Sequence, residues 1–206
     1  MPANITYEIG KRFYINLTNR CTNRCDFCIK NYAPAFQGKF DLWLPDEPTV
    51  EEVAAEIPNP KQYEEIIFCV YGEPLLRLDA VIQISQILKK RGATIRVDTD
   101  GLANLTYGRN ILPDLCGSVD AISVSLNAPD SSSYMKHCRP TVGPDPYGAV
   151  LQFITEAKKW IPVVEATVVE LPDLDINACR ERAGELGVPL IVRPFYTEMY
   201  ILKKKA

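Results

Sequence analysis

The sequence predicts an α/β fold of parallel strands joined by helical crossovers, on three observations. Six β-rich segments recur along the chain, helical patterns fall between them, and the most distinctive polar motifs stand where strands end. FYINL (13–17) alternates and is rich in β-formers, and it runs directly into a group of cysteines. EEIIFCV (64–70) ends at YGEP, TIRVDT (94–99) at DG, and DAISVSL (120–126) at Asn127-Ala-Pro129. VVEATVVE (163–170) and PLIVRPF (189–195) complete the set.

The helices between them carry start and stop signals. Thr49-x-x-Glu52 has the spacing of a capping box and opens a helix through Ile57. Asp79 is placed to cap a helix bearing Val81, Ile84, Ile87 and Leu88, with Gly92 beyond its end. A weaker pattern over 108–116 is interrupted by Pro113. YGAVLQFITEAKKW (147–160) and the segment between Asp175 and Gly187 are stronger. Six strand–helix units with right-handed crossovers form either an open doubly wound sheet or an incomplete barrel; the closed eight-unit barrel needs a longer chain than 206 residues. No internal repeat, low-complexity tract or linker divides the chain, so residues 1–206 are read as one domain. Residues 29–48 are its least regular stretch and read as an elaborated loop.

Composition narrows the function. The chain is 47% hydrophobic and 24% charged, with a formal charge of −3, which points to neither a nucleic-acid polyanion nor an anionic membrane as partner. No apolar run approaches the ~20 residues that span a bilayer. The first residues lack the apolar stretch of an export signal, so the expected location is the cytoplasm. In a reducing compartment seven cysteines favour metal or catalytic roles over disulfides.

Three of those cysteines crowd into eight positions as Cys21-x₃-Cys25-x₂-Cys28. A structural zinc site wants four ligands, and the lone His137 is far along the chain. A thioredoxin-type redox motif uses two cysteines at a helix start. Buried thiols are a third reading, although three within eight mostly polar residues make poor core. Iron–sulfur ligation remains, with three thiolates leaving one iron of a [4Fe–4S] cubane open. Cys69, Cys116 and Cys179 lie in strand or helix patterns and read as small core residues. Cys138, beside His137 and Arg139 after a polar loop, is a candidate substrate-facing thiol. The cysteines, YGEP, DTDG and SLNAP each begin at or just beyond a strand's carboxyl end, the rim on which parallel α/β folds assemble sites, so they are expected to share one.

With Phe27 directly before its third cysteine, the motif resembles that of the radical S-adenosylmethionine superfamily. Tyr71-Gly72-Glu73-Pro74 resembles that superfamily's GGEP motif, with Tyr in place of the first glycine, and Asp98-Thr99-Asp100-Gly101 resembles its third-strand ending. INLTNRCTNRCDFC, VSLNAPDSSSY and the following CRP look most like the short radical proteins associated with TatD-family nucleases. The resemblance implies a partial (β/α)6 barrel and two cofactors, a [4Fe–4S] cluster on Cys21, Cys25 and Cys28 and S-adenosylmethionine on its open iron. It implies reductive cleavage to methionine and a 5′-deoxyadenosyl radical, which removes hydrogen from a substrate, and hence an oxygen-sensitive enzyme. Cofactor contacts fall on Phe27, on Tyr71, Gly72, Glu73 and Pro74, on Asp98 and Thr99, on Ser125 and Asn127, and on Tyr196. Gly72 is expected to combine close backbone approach with an unusual φ, and Glu73 to sit behind its turn. Glu170 and Arg193 are lesser candidates. A flavodoxin- or ferredoxin-type protein is the expected electron donor. The open side of such a short barrel favours a peptide or protein substrate, with Trp43 in the 29–48 loop as one wall of its site. The competing class is a non-catalytic iron–sulfur protein for electron transfer or sensing.

Overall fold

The computed structural model describes residues 4–31, 39–69 and 71–195. Its strands are β1 (Thr6–Ile9), β2 (Arg12–Ile15), β3 (Glu65–Phe68), β4 (Ile95–Thr99), β5 (Ala121–Ser125), β6 (Val163–Glu170) and β7 (Leu190–Pro194). They form one sheet in the order β1 to β7, parallel throughout except that β1 pairs antiparallel with β2. β2 to β7 are the six expected strands, and the sheet curls into a half-barrel, the incomplete-barrel alternative. β1 was not expected. It is a four-residue strand folded back on β2 across a tight turn, too short to show a period of its own.

The helices are α1 (Val50–Ala55), α2 (Leu78–Lys90), α3 (Ala103–Tyr107), α4 (Leu112–Leu115), α5 (Ser131–Cys138), α6 (Pro146–Ala157) and α7 (Ile176–Glu185). Both bonds of the capping box form at α1: Glu52 N donates to Thr49 Oγ1 and Thr49 N to the Glu52 carboxylate. Asp175 caps α7 as expected, accepting from Asn177 N and Ala178 N. α2 begins at Leu78, so Asp79 lies in its first turn rather than at its cap. The weak 108–116 pattern is two short helices: Gly108, in the left-handed region at φ 64°, ends α3, and Pro113 stands in the first turn of α4. α5 occupies a stretch read as loop. Asp130 Oδ1 accepts from Ser133 N at its start, and Arg139 at φ 48° closes it.

The strand alternation separates two environments. Phe13, Ile15, Ile66, Phe68, Ile95, Val97, Ile122, Val124, Ala166 and Val168 are buried in the single large core. Fully burying the valine, isoleucine and phenylalanine side chains among these is worth about 1.5–3 kcal/mol each. The opposite face carries Arg12, Glu65, Arg96, Asp98, Ser123, Glu165 and Arg193, and the strand ends it leads to carry the motifs.

Candidate cofactor site

The cysteine loop leaves the carboxyl end of β2 and is held on both flanks. On one side Asn16 Nδ2 donates to Leu42 O (2.7 Å), and Asn19 exchanges two hydrogen bonds with Leu44 (2.7 and 3.1 Å). The Thr18 hydroxyl and the Arg20 guanidinium both donate to the Glu47 carboxylate. The described part of the 29–48 loop is thus stitched along the strand exit, with Trp43 58% exposed. On the other side the loop runs beside the end of α5. Arg24 N donates to Cys138 O (2.9 Å), Asp26 N to His137 O (3.0 Å) and Thr141 N to Thr22 O (2.8 Å).

Behind the loop stands the second motif. A Cβ built on Gly72 would lie 2.2 Å from Thr18 O and 2.6 Å from Arg20 O, so only glycine permits this approach. Its φ is not in the left-handed region, so close packing alone explains the residue, not the unusual φ expected. Glu73 N donates to Arg20 O (2.7 Å), and its buried carboxylate accepts from Leu75 N (2.9 Å), Thr99 Oγ1 (2.8 Å) and Asp100 N (2.6 Å). Glu73 therefore sits behind the turn as a strut from the second strand to the third, with Pro74 opening the short 3₁₀ turn that follows. Asp100 extends the strut to the cysteines: its carboxylate accepts from the Thr22 hydroxyl, from Leu102 N and from Cys21 Sγ (3.8 Å). Burial and the adjacent Asp100 carboxylate push the Glu73 carboxyl well above its usual range, and burial raises Asp100. Asp100 was not singled out from the sequence, because DTDG does not reveal which of its oxygens turns toward the loop.

All three motif thiols are free and half-buried. Burial, then the nearby carboxylates of Asp100 and Glu73, raise Cys21; burial raises Cys28. Cys25 is raised by its hydrogen bond with the Cys138 thiol and then by burial. Only at Cys28 does a cation, Lys30, oppose burial, and it does so in part, so the thiolates form at low cost only with a metal supplying positive charge. Among the described residues no three His, Cys, Asp or Glu side chains converge as ligands of a single metal ion do. A cubane places each thiolate on a different iron, so its ligands need not converge on one point. Three free thiols in one braced loop fit such a cluster.

The remaining candidates distribute as follows. Phe27 is half-buried against the core. Tyr71 is buried with Tyr7 and Leu42 in a second apolar cluster, where Tyr7 stacks on Tyr14 at 4.8 Å. Thr99 is buried, its hydroxyl donating to Glu73 and accepting from Gly101 N (3.1 Å). Asp98 lies on the polar face, where it accepts from Arg193 Nη2 (2.9 Å), and the same nitrogen reaches Ser123 Oγ (3.4 Å). Ser125 is half-buried at the end of β5, and Asn127 is nearly buried just past it at φ 53°. That conformation suits asparagine, and Asn127 N donates to Thr167 O (3.1 Å). Glu170 is exposed at the end of β6. Tyr196 lies outside the described residues. Three cysteine expectations are corrected: Cys69 is half-buried just past β3 and Cys116 exposed at the end of α4, neither of them in the core, and Cys138 is fully buried rather than facing a substrate.

Solved structures share this architecture. Streptococcus suis SuiB bound to the precursor peptide SuiA aligns over 92% of this chain and 40% of its own, with a TM-score of 0.66 and 12% identity. AnSMEcpe with bound AdoMet aligns over 88% of this chain and 50% of its own, with a TM-score of 0.61 and 13% identity. An uncharacterized protein of Methanocaldococcus jannaschii is 24% identical over 173 residues, 84% of this chain. The chain spans about half the length of that relative, 52%. The family model described as the Radical SAM superfamily matches residues 15–180, from the exit of the first parallel strand into α7. The chain belongs to the radical S-adenosylmethionine superfamily.

Proposed function

We propose that the protein is a radical S-adenosylmethionine enzyme that removes a hydrogen atom from a peptide or protein substrate. The observation that carries the reading is the cysteine loop itself: three free thiols held between Gly72–Glu73 on one side and the end of α5 on the other, within the matched family region. When bound, the cluster supplies one low-potential electron and S-adenosylmethionine supplies the carbon radical that takes the hydrogen.

The chain's own residues hold and orient. Cys21, Cys25 and Cys28 anchor the cluster. Gly72 and Glu73 fix the height of the loop above the strand ends, and Thr99 acts through Glu73, to which its hydroxyl is bonded. The backbone of 71–73, Phe27, Ser125, Asn127 and Asp98 are the contacts proposed for the cofactor, with Pro74 stiffening the turn and Tyr196 as a neighbour of the adenosine. A reductant of flavodoxin or ferredoxin type supplies the electron. Support for the peptide class comes from the relatives whose structures hold peptides, SuiB with SuiA and anSMEcpe with the Cp18Cys peptide.

The test is anaerobic reconstitution followed by incubation with S-adenosylmethionine and a strong reductant. The expected result is about four irons per chain, as a single [4Fe–4S] cluster requires, and formation of 5′-deoxyadenosine, both lost in Cys25→Ala. A protein that holds the cluster but yields no 5′-deoxyadenosine would be an electron-transfer or sensing protein instead.

A further inference from the structure

The cysteine loop and the end of α5 join at the surface, and the joint is basic on a chain whose formal charge is −3. Arg24 stands directly before Cys25, exposed and outside every ion pair among the described residues. Its N–H donates to Cys138 O at 2.9 Å and reaches Arg139 O at 3.3 Å, which lays it against the last turn of α5. There Lys136 and Arg139 have side chains 62% and 59% exposed, and Met135 beside them is 45% exposed. Arg139 sits at φ 48°, where glycine is the usual residue past a helix end, and its Nε donates to Lys136 O (3.2 Å). An arginine kept in that strained place points to a use for its charge. Lys30, two residues past Cys28, is also outside any described ion pair, in the turn that Asn31 Nδ2 ties to Cys25 O (3.0 Å). Facing these four cations are two carboxylates, Asp26 at 3.5 Å from Arg139 and Asp173 paired with Lys136. On the other flank of the loop Arg20 is engaged by Glu47.

We propose that this face docks the electron donor, an acidic carrier protein of flavodoxin or ferredoxin type whose carboxylates meet Arg24, Lys30, Lys136 and Arg139. This rests on the reading of Cys21, Cys25 and Cys28 as cluster ligands. The donor loses one electron and the cluster gains it, with no bond made or broken, so what the protein supplies is close approach. A carrier seated on Arg24 lies against the residue next to Cys25. Complementary charge steers such an encounter and sets orientation more than it adds tightness, which suits a donor that must leave after each electron. Met135 adds an adaptable apolar contact among the charges.

The test compares reconstituted wild type with Arg24→Glu, Lys136→Glu, their double variant, Arg24→Lys and Lys90→Glu. Lys90 is the control, exposed at the end of α2 and so at the amino ends of the strands, away from the loop. Two quantities are read: affinity for an acidic flavodoxin, and 5′-deoxyadenosine formed with electrons from that flavodoxin or from dithionite, which is too small to need a docking face. The double variant should bind flavodoxin about tenfold more weakly and lose flavodoxin-driven product in step, while its dithionite-driven rate stays at the wild-type level. Arg24→Lys and Lys90→Glu should match wild type, and raising salt from about 50 mM to about 300 mM should weaken wild-type binding. Undiminished flavodoxin binding by the double variant would overturn the proposal. So would equal loss with both reductants, since that would tie these residues to the cluster rather than to docking. A wild type that forms no 5′-deoxyadenosine even with dithionite would count against the enzyme reading instead, and the affinities would then decide the docking face by themselves.

Discussion

Gly72 is the residue on which the loop rests, because the carbonyls of Thr18 and Arg20 occupy the space a side chain would need. Gly72→Ala should push the cysteine loop outward, cost about 1–3 kcal/mol as overpacking does, and lower iron uptake; urea unfolding and iron analysis after reconstitution check both. Beside it the Glu73–Asp100 pair makes stability depend on pH. A carboxyl raised above its unfolded value keeps its proton longer in the folded state, so its contribution is present at low pH and fades as pH rises through the folded value. Asp100→Asn removes the neighbouring charge, and the fall in urea midpoint between about pH 5 and about pH 8 should be shallower than in wild type. Equal slopes would show that Asp100 does not repel Glu73. The sequence disclosed the need for a glycine and a buried acid at 72 and 73, since a turn after a strand that must approach another chain segment has few alternatives. It did not disclose Asp100, whose orientation is set only once the backbone has left the strand.

At the level of elements, α5 matters beyond its length, because its last turn carries the carbonyls that align residues 24 and 26. Asp130, Asp145 and Asp175 cap α5, α6 and α7 in the same way, each accepting from a backbone N–H of the first turn. Replacing any of them by alanine should cost about 1 kcal/mol. Only Asp130→Ala should also reduce the cluster retained under a chelator, since α5 alone abuts the cysteine loop; similar retention in all three variants would contradict that coupling. α5 escaped the sequence reading because Ser131, Ser132 and Ser133 compete for backbone hydrogen bonds and favour turns, and eight residues show too little of an apolar stripe. The break between α3 and α4 was hidden for a related reason: Gly108 and Pro113 both punctuate, and which one ends a helix depends on what packs against it. β6, in contrast, was legible to the residue, being long and β-branched.

Across the whole molecule the sheet has an apolar face against the helices and a charged face that alternates in sign. Arg96 joins Glu65 and Glu165, each at 2.7 Å, with side chains 15%, 17% and 19% exposed. Removing the central cation leaves Glu65 only its longer 3.5 Å pair with Arg12 and Glu165 only the Ser123 hydroxyl at 2.9 Å, so Arg96→Ala should cost about 3 kcal/mol, and adding Glu65→Gln and Glu165→Gln to Arg96→Met should recover most of it. Failure of the triple variant to recover stability would mean that Arg96 acts through packing. The period of two puts these residues on one face once the strands are paired, but their partners were not legible in the sequence, because curling of the sheet decides that Arg193 of β7 reaches Asp98 of β4. The same curl gathers the strand-end motifs onto one rim, and the central claim is that the cluster assembled there keeps one iron free for S-adenosylmethionine. The spectrum of the reduced, reconstituted cluster recorded before and after addition of the cofactor tests it most directly. A marked change on addition is predicted, since a new ligand reaches the open iron, whereas an unaltered spectrum at saturating cofactor would show that the corner is already closed.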